Sequence, residues 1–510
     1  MEKIVFLQAE EEKRIIEFAN SKNLLIDSKA VAALLKKADF KEILEGFAAR
    51  NVFLVTGAAL GDYLAKQETK IGDLKQVVVK PHSFRPFALE IEPDCRVMEE
   101  FDVTNQSFSE GKVKDFLGYF RDKFSFLSSV IRKRPGLDIK DISRLRQTSG
   151  NNEIMVIGMI SKKWISKNGH LIFELEDLEA TCIVVFSKTG AALFEAAQRA
   201  VLDNVVAVKG KKAGDEMIIA NEIIFPDMPN RPPRGPNRDV SLVSISDMHV
   251  GSRLFLENEF SRFLEWINGN VTNESEKERI GKIKYLVISG DNVDGIGVYP
   301  DQFDELGIKD IFQQYDAFGE LLKQIPEYIE IFVCPGQHDA VRRADPQPAV
   351  GKEFTKSMAG CKNIHFVGSP SWFEIEGLKC LIYHGASIHD LTATVNSLRP
   401  DRPAEGMVEL LKRRDLMAGY GSKQPYVPEK KDFMLIREEP DFYFGGDMHH
   451  NGYAQYRGCT VINSGTWQAR TAFQVQLGIV PTPGIAVETD LRTRKITENC
   501  FYTKEETKWS

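Results

Sequence analysis

Between residues 240 and 450, apolar runs end five times in residue types that hold metals. VSLVSIS is followed by Asp247 and His249, and YLVISG by Asp291, with Asp294 three further on. IEIFVCPG leads into Gln337, His338 and Asp339; CLIY into His384; FYFGG into Asp447, His449 and His450. In layered α/β folds, ligand sites form at the carboxyl ends of strands. Five such ends converging would place carboxylates and imidazoles on one spot, which is how a two-metal site is built. Two cations a few ångströms apart can share one carboxylate, activate a water and neutralise phosphoryl oxygens. A lone D-x-H means little, but D-x-H, G-D-x-x-D, G-x-H-D, H and G-x-x-H in this order form a specific pattern.

The elements that must carry these residues are legible in outline. Residues 1–60 read as a small helical domain, with apolar stripes through Ile15, Ile16 and Phe18 and through Val31, Leu34, Leu35 and Ile43. Residues 61–150 read as a helical or mixed connecting region. Within it a helix is predicted from about Ser109, as cap, to Ile131, its stripe formed by Val113, Phe116, Leu117, Phe120, Phe124 and Leu127. From 151 to 226 the periodicity becomes that of short strands, with a helix-like AALFEAAQRAVL between the third and fourth; this suits an OB barrel. Trp164, Lys162, Lys163 and Lys167 are the barrel residues suited to single-stranded nucleic acid. Residues 227–238 sit in a proline-rich strap read as a linker, and 239–510 as an α/β domain of two packed sheets. The predicted fold class is therefore multi-domain: an α-rich N-terminal region, an all-β OB barrel and a two-sheet α/β domain.

Composition narrows the function. The 510 residues carry a net charge of −7, which argues against tight DNA binding by this chain alone. Seven of the nine histidines fall between 249 and 450. The seven cysteines are scattered without a CxxC pair, so they read as reduced thiols, with neither a disulfide frame nor a zinc site. No apolar run approaches the roughly 20 residues that span a bilayer, and no secretory leader is recognisable. The expectation is a cytoplasmic protein without membrane contact.

The ordered motifs resemble those of calcineurin-like metallophosphoesterases over about residues 239–500. The longer strings SDMHVGSRLF, SGDNVDGIGVYP, CPGQHDAVRRADPQPAV, YHGASIHDL and LLKRRDLMAGYG resemble the small subunits of archaeal family D DNA polymerases, which are related to the B subunits of eukaryotic replicative polymerases. The resemblance implies a 3′–5′ proofreading exonuclease that works with a large catalytic polymerase subunit on the DNA primer 3′ end. It implies that Asp247, His249 and His449 hold a first metal, that Asp291 bridges to a second, and that His384 ligates the second. His338 would stand at the scissile phosphate, oriented by Asp339. Two positions depart from the family pattern: Gln337 where Asn is usual, and Asp447 where His is usual. Both fall on the second metal. Three carboxylates (Asp247, Asp291, Asp447) then favour Mn²⁺ or Mg²⁺ over Zn²⁺. Arg342 and Arg343, directly after the G-Q-H-D turn, are the candidate DNA contacts. The other reading is a non-catalytic scaffold subunit with a degenerate phosphoesterase site.

Overall fold

The computed structural model describes residues 2–22, 24–35, 40–48, 54–57, 60, 84–147, 152–417, 419–476 and 478–502. The chain divides into two compact units, 1–75 and 76–510. Much of the stretch read as connecting region, 61–83 and 148–150, lies outside the described residues. Among the described residues no helix is long and apolar enough to cross a membrane.

In the first unit, helices Glu2–Ser21, Ser28–Leu34 and Phe40–Ala48 accompany a two-residue parallel pair, β1 (Leu25–Ile26) and β2 (Leu54–Val55). Ile15, Ala19, Val31, Leu34, Leu44 and Phe47 share a buried core. Asp27 caps the second helix by accepting from the Ala30 N–H at 2.7 Å.

In the second unit, strand β3 (Cys95–Val97) precedes a long helix, Val113–Arg132. That helix begins later than the sequence suggests. Asp115 accepts from the Lys112 N–H at 3.0 Å, while Ser109 donates its own N–H to Glu429. Its buried face also differs. Val113 and Leu117 point to solvent, whereas Tyr119, Lys123, Leu127 and Ile131 are buried. Lys123 enters the core only because Asp415 meets it at 2.8 Å, both side chains being 2% exposed.

Five strands then close a barrel in the order β4-β5-β6-β8-β7: β4 (Glu153–Ile165), β5 (Leu171–Glu176), β6 (Thr181–Phe186), β7 (Val205–Lys212) and β8 (Met217–Ile224). The helix Ala191–Gln198 stands between β6 and β7, where its sequence places it. β4 is long enough to pair with β7 through its first half and β5 through its second. The register shifts between Ile160 and Lys162, so the strand bends there and closure follows. The Pro-rich strap is pinned rather than free: Arg231 and Arg234 both bind Asp441, the former at 2.7 Å.

The rest of the unit is two six-stranded sheets. The first runs β12-β11-β10-β9-β18-β19 and the second β16-β17-β15-β14-β13-β3. The first contains β9 (Ser241–Ile245), β10 (Ile283–Ser289), β11 (Glu330–Cys334), β12 (Ile364–Phe366), β18 (Ile485–Asp490) and β19 (Ile496–Cys500). The second contains β13 (Ser371–Ile375), β14 (Leu378–Ile382), β15 (Phe442–Gly445), β16 (Gly452–Tyr456) and β17 (Cys459–Asn463), with β3 added at its edge by pairing with β13. The runs SLVSI, IKYLVIS and FYFG are buried throughout, as strands covered on both faces must be. Leu242, Val287, Phe332, Phe373, Ile382 and Phe444 form the core between the sheets. Phe332 and Phe373 stack with ring centroids 4.0 Å apart. Burying this apolar face, at roughly 25 cal/mol per Å², is what locks the sheets in register and fixes the loops at their ends.

Candidate metal centre

Asp247, Asp291, His384 and Asp447 each lie two residues past the carboxyl end of β9, β10, β14 or β15. Gln337 and His338 follow β11 by three and four. Parallel strand ends point the same way, so both sheets deliver their loops to one place. The backbone turns sharply there. Asp247, His249, Asp291, Asp447 and His449 have φ of 53°, 49°, 48°, 65° and 54°. That left-handed conformation costs a residue with a Cβ, and it persists where the surroundings over-determine it, commonly at functional sites. Two glycines make room. A Cβ on Gly336 would collide with Asp291 Oδ1 and His384 Nε2, and one on Gly446 with Ser246 Oγ and Asp247 Oδ2.

Three overlapping sets of side chains present ligand atoms mutually within 4.8 Å: Asp247, His249 and His449; His249, Asp291 and His338; Asp247, Asp291 and His384. His384 Nε2 is 3.3 Å from Asp291 Oδ1, and His449 Nε2 is 3.3 Å from Asp247 Oδ1. The Nε2 atoms of His249 and His449 approach to 3.1 Å. His338 Nε2 stands 4.0 Å from Asp291 Oδ2. The outer nitrogens are held from behind. His249 Nδ1 donates to Asp294 Oδ1 at 3.0 Å, His384 Nδ1 to the Ser289 carbonyl at 2.6 Å, and His338 Nδ1 to the Asp294 carbonyl at 2.7 Å. A neutral imidazole held as His249 and His384 are offers the Nε2 lone pair inward, as a metal ligand must.

The electrostatics demand positive charge at the centre. Burial pushes the Asp291 carboxyl up, but His384 and His338 outweigh it and hold it well below the usual carboxylate range. Burial would depress His384, yet Asp291, Asp247 and Asp447 hold it well above the usual imidazole range. His449 is raised despite burial, chiefly by Asp247. Gln337 Oε1 and His384 Nε2 are buried without a hydrogen-bond partner. Orphaned buried donors and acceptors are costly. With the surrounding carboxylates, they make a donor set that fits divalent cations.

Residues 242–454 match the model of a family described as the B subunits of DNA polymerases alpha and epsilon. The DNA polymerase II small subunit of Archaeoglobus fulgidus is 36% identical over 463 residues, covering 90% of this chain and 92% of that one. That of Methanothermobacter thermautotrophicus is 40% identical, covering 75% and 79%. The Methanocaldococcus jannaschii protein of the same name is 38% identical, covering 78% and 67%. This chain belongs to the DNA polymerase II small subunit family. The matched span holds every ligand candidate of this family member, from Asp247 to His449.

Several residues stand otherwise than expected. Asp339 does not orient His338. Its oxygens accept from Tyr315 Oη at 2.7 Å, the Gly336 N–H at 2.9 Å and Asn292 Nδ2 at 3.0 Å, so it braces the loop; the Asp294 carbonyl orients His338 instead. Burial and the Asp291 charge raise the Asp339 carboxyl to about 6. Arg342 is committed inward, to Glu429 at 3.1 Å and the Pro346 carbonyl at 2.8 Å. Arg343 is exposed and donates to the Val298 carbonyl. Arg413 and Arg414, in the LLKRRDLMAGYG string, are buried; the first pairs with Glu409, the second with Glu439. On the barrel, Lys163 binds the Gln198 and Ala200 carbonyls, whereas Lys162, paired with Glu174, stays exposed along with Trp164 and Lys167.

Asp447 meets an imidazole after all. His450 turns its Nδ1 to the Met448 carbonyl, but His389 Nε2 lies 3.0 Å from Asp447 Oδ2, angled off a hydrogen-bond line. His389 stands in plain view within YHGASIHDL, five residues after His384, without a spacing that marks it. Gln474 carries no sequence signal either. Its Nε2 stands 2.8 Å from His449 Nδ1, and nothing in the sequence links residues 25 apart across a loop.

Proposed function

We propose that this chain is the small subunit of a DNA polymerase, and that residues 239–510 form a calcineurin-like metallophosphoesterase domain acting as a 3′–5′ proofreading exonuclease. Its partners would be a large catalytic polymerase subunit and the DNA primer 3′ end. The observation that carries this reading is the convergence of Asp247, His249, Asp291, His338, His384 and His449 on one point from both sheets. Family membership supplies the polymerase context. Asp247, His249 and His449 would hold one divalent ion, His384, Asp447 and Gln337 a second, and Asp291 both. The predominance of oxygen donors around the second favours Mn²⁺ or Mg²⁺. When bound, such ions supply Lewis acidity and charge neutralisation to the phosphodiester.

The chain's own residues do the rest. His338 is the candidate proton donor, because its side chain is 18% exposed at the mouth of a cluster whose other imidazoles are more deeply buried. Its Nε2 faces the space in front of Asp291 and is fixed there by the Asp294 carbonyl. Water would add at phosphorus, giving up a proton to solvent, as the 3′ oxygen of the preceding nucleotide leaves with the Nε2 proton of His338 in its imidazolium form, which solvent then restores; the product is a nucleoside 5′-monophosphate. Asp294, Ser289 and Gln474 keep the imidazoles aimed. The test is the purified chain with Mn²⁺ on single-stranded DNA and on a mismatched primer end. Stepwise release of mononucleotides from the 3′ end, lost in Asp291→Asn, supports the exonuclease. Inert protein with both substrates favours the scaffold.

A further inference from the structure

A second mixed cluster sits away from the centre described above. β3 and β12 are edge strands of different sheets. Cys95 opens β3, His365 lies midway along β12, and Glu330 opens β11, the strand whose far end leads to Gln337 and His338. The cluster is therefore at the opposite ends of the strands from the candidate centre. One ligand atom from each of Cys95, Glu330 and His365 lies within 4.8 Å of the other two. His365 Nε2 is 2.6 Å from Glu330 Oε2. Its ring stacks on Phe332 with centroids 4.9 Å apart, so the imidazole is held in place. All three side chains are partly exposed, which leaves solvent a path in.

We infer that Cys95, Glu330 and His365 form a Zn²⁺ site that clips together the open edges of the two sheets. A thiolate, an imidazole and a carboxylate are the donor types that Zn²⁺ takes, with solvent completing the tetrahedron. Sulfur makes the set unfit for Mg²⁺ or Mn²⁺ and separates it from the oxygen-rich centre. The charge is suitable. Thiolate and carboxylate neutralise the dication, and Glu92 and Glu376 offset the neighbouring Lys284. Burial and the charges of Glu330 and Asp94 raise the free thiol to about 12. Binding therefore breaks S–H, forms S–Zn and releases one proton to solvent.

Cobalt(II) added to the full chain tests the site, because only thiolate ligation gives a sulfur-to-cobalt charge-transfer band in the near ultraviolet, and the other centre has no cysteine. Cobalt beyond the two equivalents that the other centre can take should produce the band, and Zn²⁺ should bleach it. Cys95→Ser should abolish it, and His365→Ala should weaken the affinity tenfold or more. Asp291→Asn should leave it unchanged. A chain without the band overturns the inference. So does a band that survives Cys95→Ser or disappears in Asp291→Asn.

Discussion

His389 Nε2 lies 3.0 Å from Asp447 Oδ2, so this carboxylate at the edge of the candidate centre is faced by an imidazole. The Asp447 charge raises the imidazole, and His389 in turn helps to hold the Asp447 carboxyl low against its burial. A cation at the proposed second position would compete with His389 for Asp447. Asp447→Ala should weaken the weaker of the two Mn²⁺ binding steps by about 10–100-fold, the scale seen when a supporting group at a metal is lost. His389→Ala should strengthen it. Isothermal titration reads both. An unchanged weaker step in Asp447→Ala would remove Asp447 from the ligand set.

His338→Ala should retain both ions and the fold but lower cleavage by about 10²-fold or more, the scale of a lost general acid. Metal content by elemental analysis and single-turnover rates on the same preparation check this. Unchanged turnover would reduce His338 to a structural residue.

Lys123 and Asp415 are each 2% exposed and 2.8 Å apart. Lys123→Ala leaves a buried carboxylate without its partner, and should destabilise the protein by about 3–5 kcal/mol. Replacing both by apolar residues of similar volume should recover most of that loss. Urea unfolding of the two variants gives the comparison. A single variant within about 0.5 kcal/mol of the parent, the range of an ordinary surface change, would mean the pair contributes nothing.

What the sequence reveals and what it withholds separate along one line: how far apart in the chain the interacting residues stand. Strands such as IKYLVIS are continuous apolar runs, and each ends in its own chemical residue, so strand and ligand are legible together. The barrel is legible because short strands and one helix follow in order. The pairing of β3 with β13 joins residues nearly 280 apart and leaves no local sign. Lys123 interrupts an apolar stripe, and only Asp415 explains it. The start of the helix moves from Ser109 to Val113 because Glu429, from far along the chain, claims the Ser107–Ser109 segment. Asp339 reads as a partner of its neighbour His338, but its real partners, Tyr315 and Asn292, come from elsewhere. That Cys95, Glu330 and His365 come together leaves no sign in the sequence, because no spacing relates them.

Burial and the nearby Asp415 push the Asp432 carboxyl up to about 7, although Lys123 pulls it down. An unfolded aspartate loses its proton near pH 4. Between about pH 4 and 7 the folded chain therefore keeps a proton that the unfolded chain gives up, and stability falls as pH rises through that window. Asp432→Asn should flatten this slope and raise the melting temperature at pH 8 relative to the parent more than at pH 5. Asp345, raised to about 7 by its own burial, should keep part of the slope in the variant. Identical melting profiles for parent and Asp432→Asn would show that the carboxyl titrates normally.

The most direct test of the account is the Mn²⁺ dependence of 3′–5′ degradation by the purified chain on a mismatched primer, measured alongside metal stoichiometry for the parent and Asp291→Ala. The account predicts two ions and stepwise mononucleotide release for the parent, and loss of both ions and of all cleavage in the variant, since Asp291 faces ligands of both positions. A parent that binds one ion or none and leaves the primer intact would contradict it.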